Sequence, residues 1–223
     1  MNAPLQRLLQ FPRSALKASL GFSLIELLSV MTVISLLAVA TVPAMRSTLD
    51  GINVSGAAGV AEAELLLARQ TAISRNLPVE VRFYKSDDGT GDAWRMVAIV
   101  IPAAFSGLAA DEWITPGKTL PGNVIIEDSN DYSTVMTKAV PASADKIAPW
   151  TSQESTSAPR AVQGKSYVGF LFNADGSTNL PSGQPWCVTL KNPKSQPTAS
   201  APAKNYVSIV VDSLTGRTLS YQP

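Results

Sequence analysis

The chain has 223 residues with 18 basic and 17 acidic side chains, no histidine, one cysteine (Cys187) and a mean hydropathy of +0.12. Such a composition excludes an internal disulfide, the usual Cys/His zinc sites, and Ser-His-Asp or Cys-His catalysis, which would lack its general base. It leaves carboxylate or Ser-Lys chemistry open, leans against an enzyme, and calls for no cofactor. The charge is unevenly spread. Residues 1–21 hold Arg7, Arg13 and Lys17 and no acid, so the 18 basic side chains less these three leave 15 against 17 acids, a net of −2. No strongly basic field for nucleic acid remains.

The first informative stretch is LGFSLIELL, residues 20–28, in which Glu26 opens an apolar run. Sixteen uncharged residues, LLSVMTVISLLAVATV, lie between Glu26 and Pro43; counted from Phe22 the run is 21 residues, enough for a helix to cross a hydrocarbon core of about 30 Å. The basic segment before it should stay cytoplasmic while the rest is translocated. Three readings compete: a cleaved secretory signal with Ala38-Val39-Ala40 as its small-residue site, an uncleaved anchor, or a prepilin-type signal cut after Gly21. Glu26 separates them. A carboxylate within a spanning helix costs roughly 2.5–3.5 kcal/mol, and neither a signal peptide nor a plain anchor gains anything from it. Cleavage after Gly21 would place a new α-amino group on Phe22, one helical turn before Glu26.

Residues 21–26, GFSLIE, resemble the processing motif of type IV pilins and pseudopilins: glycine, phenylalanine, three small or apolar residues, and glutamate in fifth place. Pro43 stands where many of these proteins carry a helix-kinking proline. The resemblance implies cleavage between Gly21 and Phe22 by a membrane aspartyl prepilin peptidase, with N-methylation of Phe22. It also implies pairing of Glu26 with the Phe22 amine of a neighbouring subunit. In a filament core an unpaired charge costs several kcal/mol, so such a pair favours one axial register.

Beyond Pro43 the helical signal weakens at Asp50-Gly51, Gly56 and Gly59, each glycine costing about 1 kcal/mol against alanine. It recovers over residues 61–73, where Leu65, Ala68 and Ala72 share a face with Leu66 and Ile73 beside it. Pro78 ends it. A continuous helix from 22 to about 75 would run roughly 80 Å, with the glycine-bearing middle free to bend or melt. From Val79 the pattern turns to β. Strands are expected at 79–84, 94–101, 123–127, 166–172, 186–190, 206–211 and 217–221, with a hairpin turn at 88–91 and turns at Asp175-Gly176 and Thr215-Gly216. Residues 128–165 and 191–204 read as loops.

Residues 67–76 with Pro78-Val79, residues 172–177 and residues 207–217 are similar to segments of the H-type minor pseudopilins (GspH/FimT family), in which two packed antiparallel sheets lie against the C-terminal half of the helix. The expected class is therefore α+β, a long N-terminal helix on a C-terminal antiparallel β-sheet or sandwich. Residues 1–21 form a leader, 22–43 a transmembrane and assembly helix kinked at Pro43, 44–76 its periplasmic part, and 77–223 a β-rich head. The implied partners are the prepilin peptidase/N-methyltransferase, other pilins or pseudopilins through the N-terminal helix, an assembly platform protein driven by a cytoplasmic ATPase, and membrane lipid. The implied location is the bacterial inner membrane, with the head in the periplasm, and the work is mechanical.

Other residues have plainer roles open to them. Asp87, Asp88 and Asp92 in one turn offer oxygen ligands for calcium but lack EF-hand spacing, and a solvated hairpin turn accounts for them. Arg217 resembles the basic C-terminal tip of DNA-binding uptake pilins. Binding needs several phosphate contacts, and only Lys191, Lys194 and Lys204 stand near it to reinforce one. A membrane-anchored enzyme is a further alternative and requires a deep pocket with paired carboxylates. Cys187, next to Trp186 in a strand pattern, reads as a buried apolar residue, and the four tryptophans Trp94, Trp113, Trp150 and Trp186 read as core or rim residues.

Overall fold

The computed structural model describes residues 21–87, 91–129, 132–141, 148–195, 203 and 205–222. It divides into two compact units, Met1–Ala44 and Met45–Pro223. Helix α1 (Leu24–Arg75, 52 residues) contributes to both.

In the first unit, residues 21–23 lead without regular structure into α1, and every described side chain from 21 to 39 is exposed. No glycine or proline interrupts 22–42, so nothing breaks the backbone ladder there. Ser29, Thr32 and Ser35 turn their hydroxyls back onto the carbonyls of Glu26, Ser29 and Met31 at 2.8, 2.7 and 2.8 Å, which satisfies them without an outside partner. Among the described residues no helix is long and apolar enough to cross a membrane. The side chains of residues 40–44, including Pro43, lie outside the described set, although their backbone belongs to α1.

In the second unit α1 buries Val54, Ala57, Ala58, Ala61, Leu65, Ala68 and Ala72. This stripe of mainly alanine, at spacings of one, three and four, lets the helix approach its neighbours closely. The melting that Gly51, Gly56 and Gly59 would allow does not occur. The stretch is helical throughout, because burial of Val54, Ala57 and Ala58 outweighs the poor propensity of exposed glycines. The helix ends as expected: Asn76 takes a left-handed conformation (φ 53°) and the Leu77 N–H closes onto the Ala72 carbonyl at 3.3 Å. Pro78 then starts the sheet.

Ten strands follow with two short helices: β1 (Val79–Asp87), β2 (Asp92–Ile101), α2 (Ala103–Ser106), β3 (Glu112–Thr119), β4 (Ile125–Ile126), α3 (Thr134–Thr137), β5 (Val140–Pro141), β6 (Trp150–Gln153), β7 (Ser166–Phe172), β8 (Trp186–Lys191), β9 (Tyr206–Val211) and β10 (Thr218–Tyr221). The α+β class is thus present, with a sheet antiparallel in every pairing but β5 with β6. The two separate sheets that the resemblance implied are not. All ten strands join one ladder in the order β10-β9-β8-β4-β2-β1-β7-β6-β5, and β3 also pairs with β2. The join is slender: β4 meets β2 only at Trp94↔Ile126 and meets β8 at two pairs. The interval 128–165, expected as loop, contains α3, β5 and β6, and β3 was not foreseen. Pro116 and Gly117 inside β3 mask its pattern, and its pairing with β2 shifts register twice.

Candidate functional site

Gly21 is exposed, and a Cβ placed on it would meet nothing within 4 Å. Among the described residues nothing therefore demands glycine at that position. Glu26 lies in the first turn of α1, where a carboxylate complements the helix dipole, and the Leu27 N–H closes the turn onto the Ser23 carbonyl at 3.1 Å. Phe22 and Leu24 next to it are about four-fifths exposed (79% and 83%).

A second feature brings together the three stretches that carried the pseudopilin resemblance. Arg69 on α1 donates its Nε–H at 3.1 Å to the carbonyls of both Gly176 and Thr215. Gly176 (φ 83°) and Gly216 (φ 62°) are left-handed, and a Cβ on Gly216 would stand 2.0 Å from the Gly176 oxygen. Only glycine fits there. Each turn carries an aspartate that accepts local donors. Asp212 accepts from the Thr215 N–H at 2.7 Å, and Asp175 accepts from the Ser177 hydroxyl at 2.6 Å. These bonds hold both carboxyls below the ordinary carboxylate range, Thr215 N–H acting most strongly on Asp212 and the Ser177 hydroxyl on Asp175.

Arg217 is exposed beside this clasp, and with Leu219 it borders two grooves of about 420 and 280 Å³. Lys191 is buried and ion-paired with Glu127, Lys194 is exposed, and Lys204 lies outside the described residues. In the β1–β2 turn the Gly91 N–H donates to Asp87 Oδ1 at 3.2 Å and Asp92 is exposed, while Asp88 lies outside the described residues. Among the described residues no three candidate ligands gather to hold a metal ion. Trp94, Trp150 and Trp186 are buried. Cys187 is only half-buried, and its thiol donates to the Tyr132 carbonyl at 3.3 Å, so it is not the purely apolar residue foreseen.

The most elaborate polar site lies on β1, where no motif in the sequence marks it. Glu80, Arg82 and Tyr84 alternate with Val79, Val81 and Phe83 along β1, yet all three are buried. The register explains how. Arg82 lies between Ala98 of β2 and Gly169 of β7, the smallest available neighbours, and a Cβ on Gly169 would come within 2.8 Å of Glu80 Oε1. Arg82 donates at 2.8 Å to Glu154 through Nη1 and at 2.8 Å to both Glu80 and Asp111 through Nη2. Its guanidinium carbon lies 4.8 Å from the Tyr167 ring centroid and 5.6 Å from that of Trp113. Tyr84 donates to Glu154 at 2.6 Å.

Burial alone would ease the proton off Arg82, but the hydrogen bond and charge of Glu80 outweigh it and hold the guanidinium charged. Burial pushes Tyr84 upward, helped by its bond to Glu154, and pushes Tyr167 up to about 12, helped by the charge of Glu80. The site opens into a cleft of about 420 Å³ whose lining includes Asp111, Trp113, Gln153, Glu154, Ser155 and Ser157. The enzyme alternative required paired carboxylates in a pocket. Asp111 and Glu154 meet that description, but both serve Arg82 as counter-ions.

Comparison of the chain with protein-family profiles, curated proteins and solved structures finds no match.

Proposed function

We propose that the chain is a minor pilin-like structural subunit, cut between Gly21 and Phe22 and built through α1 into a type II secretion pseudopilus or a type IV pilus. The observation that carries this reading is the apolar start of α1, where every described side chain from 21 to 39 is exposed and one carboxylate, Glu26, sits in the first turn. Apolar helical surface left bare by its own chain requires lipid or other helices. With the neighbouring apolar residues 40–42, the segment would seat in the bacterial inner membrane and leave the β-rich unit in the periplasm. Two further observations support it. Among the described residues nothing requires Gly21 to be glycine, which fits a requirement set by a peptidase that reads the site. The three segments similar to H-type pseudopilins also meet at Arg69.

Mass spectrometry of the mature N-terminus tests the reading. We expect a chain beginning at N-methylated Phe22. A chain beginning near Thr41, or one retaining Met1, would overturn it.

A further inference from the structure

The two ends of the ladder are finished differently. β5, at one end, is two residues long and closes on Pro141, which has no N–H to offer. β10, at the other, contains no proline and no charged residue, and it pairs only with β9. The Asp212 N–H donates to the Arg217 carbonyl at 2.9 Å, which fixes the phase of this pairing. Leu219 and Tyr221 therefore face β9 with their backbone groups, while Thr218 and Ser220 turn their N–H and C=O outward. No described residue bonds to those four groups. Along the same edge a groove of about 280 Å³ lies between α1 and β10, walled by Leu66 and Leu219, which are 48% and 73% exposed. Arg69 and Arg217 line it as well. Neither the Arg217 guanidinium nor the Nη groups of Arg69 have a hydrogen-bond or ion-pair partner among the described residues. Asp212, the carboxylate of the same hairpin, is taken up by the Leu214 and Thr215 N–H groups. A row of open backbone donors and acceptors selects an extended polypeptide, and two guanidiniums beside it select a carboxylate. A nucleic-acid strand could meet the arginines but has no alternating N–H and C=O groups for Thr218 and Ser220. The β10 of a second copy would bring no carboxylate.

We propose that the open edge of β10 receives a β-strand of a partner polypeptide that carries an acidic residue among apolar ones. Its backbone pairs with Thr218 and Ser220, its carboxylate lies against Arg69 and Arg217, and an apolar side chain seats between Leu66 and Leu219. Nothing in this depends on processing at Gly21.

The test adds acetyl-Val-Glu-Val-Thr-Val-amide to the isotope-labelled full chain in non-ionic detergent and follows the amide resonances of Thr218 and Ser220. Both should shift and saturate, and binding should weaken as salt rises. The same peptide with glutamine for glutamate should bind roughly tenfold more weakly, and a backbone N-methylated peptide, which keeps the side chains without the donors, should not bind. Arg217→Gln should cost a factor similar to the glutamine peptide. Ser220→Pro removes an outward N–H that β9 does not use, so this variant should fold and lose the peptide. Absence of shifts at millimolar peptide, equal binding of the glutamine or N-methylated peptide, or unchanged binding by Arg217→Gln would each overturn the proposal. So would tighter binding of oligothymidylate at the same amides, or a dimer formed through β10 that excludes the peptide. Should Ser220→Pro fail to fold, Arg217→Gln and the N-methylated peptide decide.

Discussion

Arg69 donates its Nε–H at 3.1 Å to the carbonyl of Thr215, a residue 146 positions further along the chain, while the same nitrogen serves Gly176. One helix side chain thereby fixes two turns whose own sequences only specify that they turn. Arg69→Met keeps most of the stem and removes both bonds; it should lower stability by about 1–2 kcal/mol, since bonds from a charged donor are worth about 1.5–3 when buried and this one is only part-buried. Urea denaturation gives the value, and an unchanged midpoint would remove the clasp from the account.

The glycines separate into two kinds, and the same substitution should move them in opposite directions. Gly216→Ala drives a Cβ to within 2.0 Å of the Gly176 oxygen in a left-handed conformation. It should cost about 3 kcal/mol or more, or abolish folding. Gly59 lies in α1, exposed, with nothing within 4 Å of a built Cβ. Gly59→Ala should raise stability by about 0.5–1 kcal/mol through helix propensity alone. Thermal melts of the two variants, side by side, check both signs.

Arg82→Met would leave Glu80 and Glu154 buried without their counter-ion. Breaking a buried pair in this way typically costs about 3–5 kcal/mol, and three carboxylates share the loss here. A loss below about 1 kcal/mol in denaturant titration would mean that the cluster is not the strut between β1 and the segments bearing Asp111 and Glu154.

Tyr167 gives a dependence on alkaline pH. Its folded pKa is raised to about 12 from the ordinary 10.0, so the folded chain holds the proton more tightly than the unfolded chain. The associated stability is complete below pH 10 and is lost as pH rises from 10 toward 12. Tyr84, raised for the same reason of burial and by its bond to Glu154, adds in the same direction. Wild type should thus lose stability steeply over that window, and Tyr167→Phe should lose less. Equal slopes for the two would refute the assignment.

On the proposed pilin-like reading, Glu26→Ala should still be processed after Gly21 but should fail to enter filaments, because the carboxylate would pair with a Phe22 amine that would exist only after cleavage. Immunoblotting of membrane and sheared filament fractions reads both steps. Normal incorporation of the variant would end the pairing role.

Much of the fold was legible where periodicity was strong and local. The buried stripe Leu65, Ala68, Ala72, the stop at Asn76 before Pro78, and the strands 166–172 and 206–211 follow from spacing and breakers. What escaped was set by neighbours remote in sequence. Strict alternation at 79–84 marks Glu80 and Arg82 as polar, but whether that face meets water depends on the segments carrying Asp111 and Glu154. The available signal was chemical: a Glu-x-Arg-x-Tyr face over residues 80–84, interleaved with Val79, Val81 and Phe83, is costly to leave in place unless its members satisfy one another. β5 and β6 were hidden because two- and four-residue strands carry too few positions to show a period.

The narrowness of β4 has a mechanical meaning. A sheet whose two arcs share one residue pair on one side and two on the other has its weakest line drawn in advance, between Trp94 and Leu190. Load applied across the strands would part the ladder there before it strained the β1–β2 or β8–β9 seams, which are bonded along most of their length. The buried ion pair of Lys191 with Glu127 sits at that same line, a rivet where the fabric is thinnest.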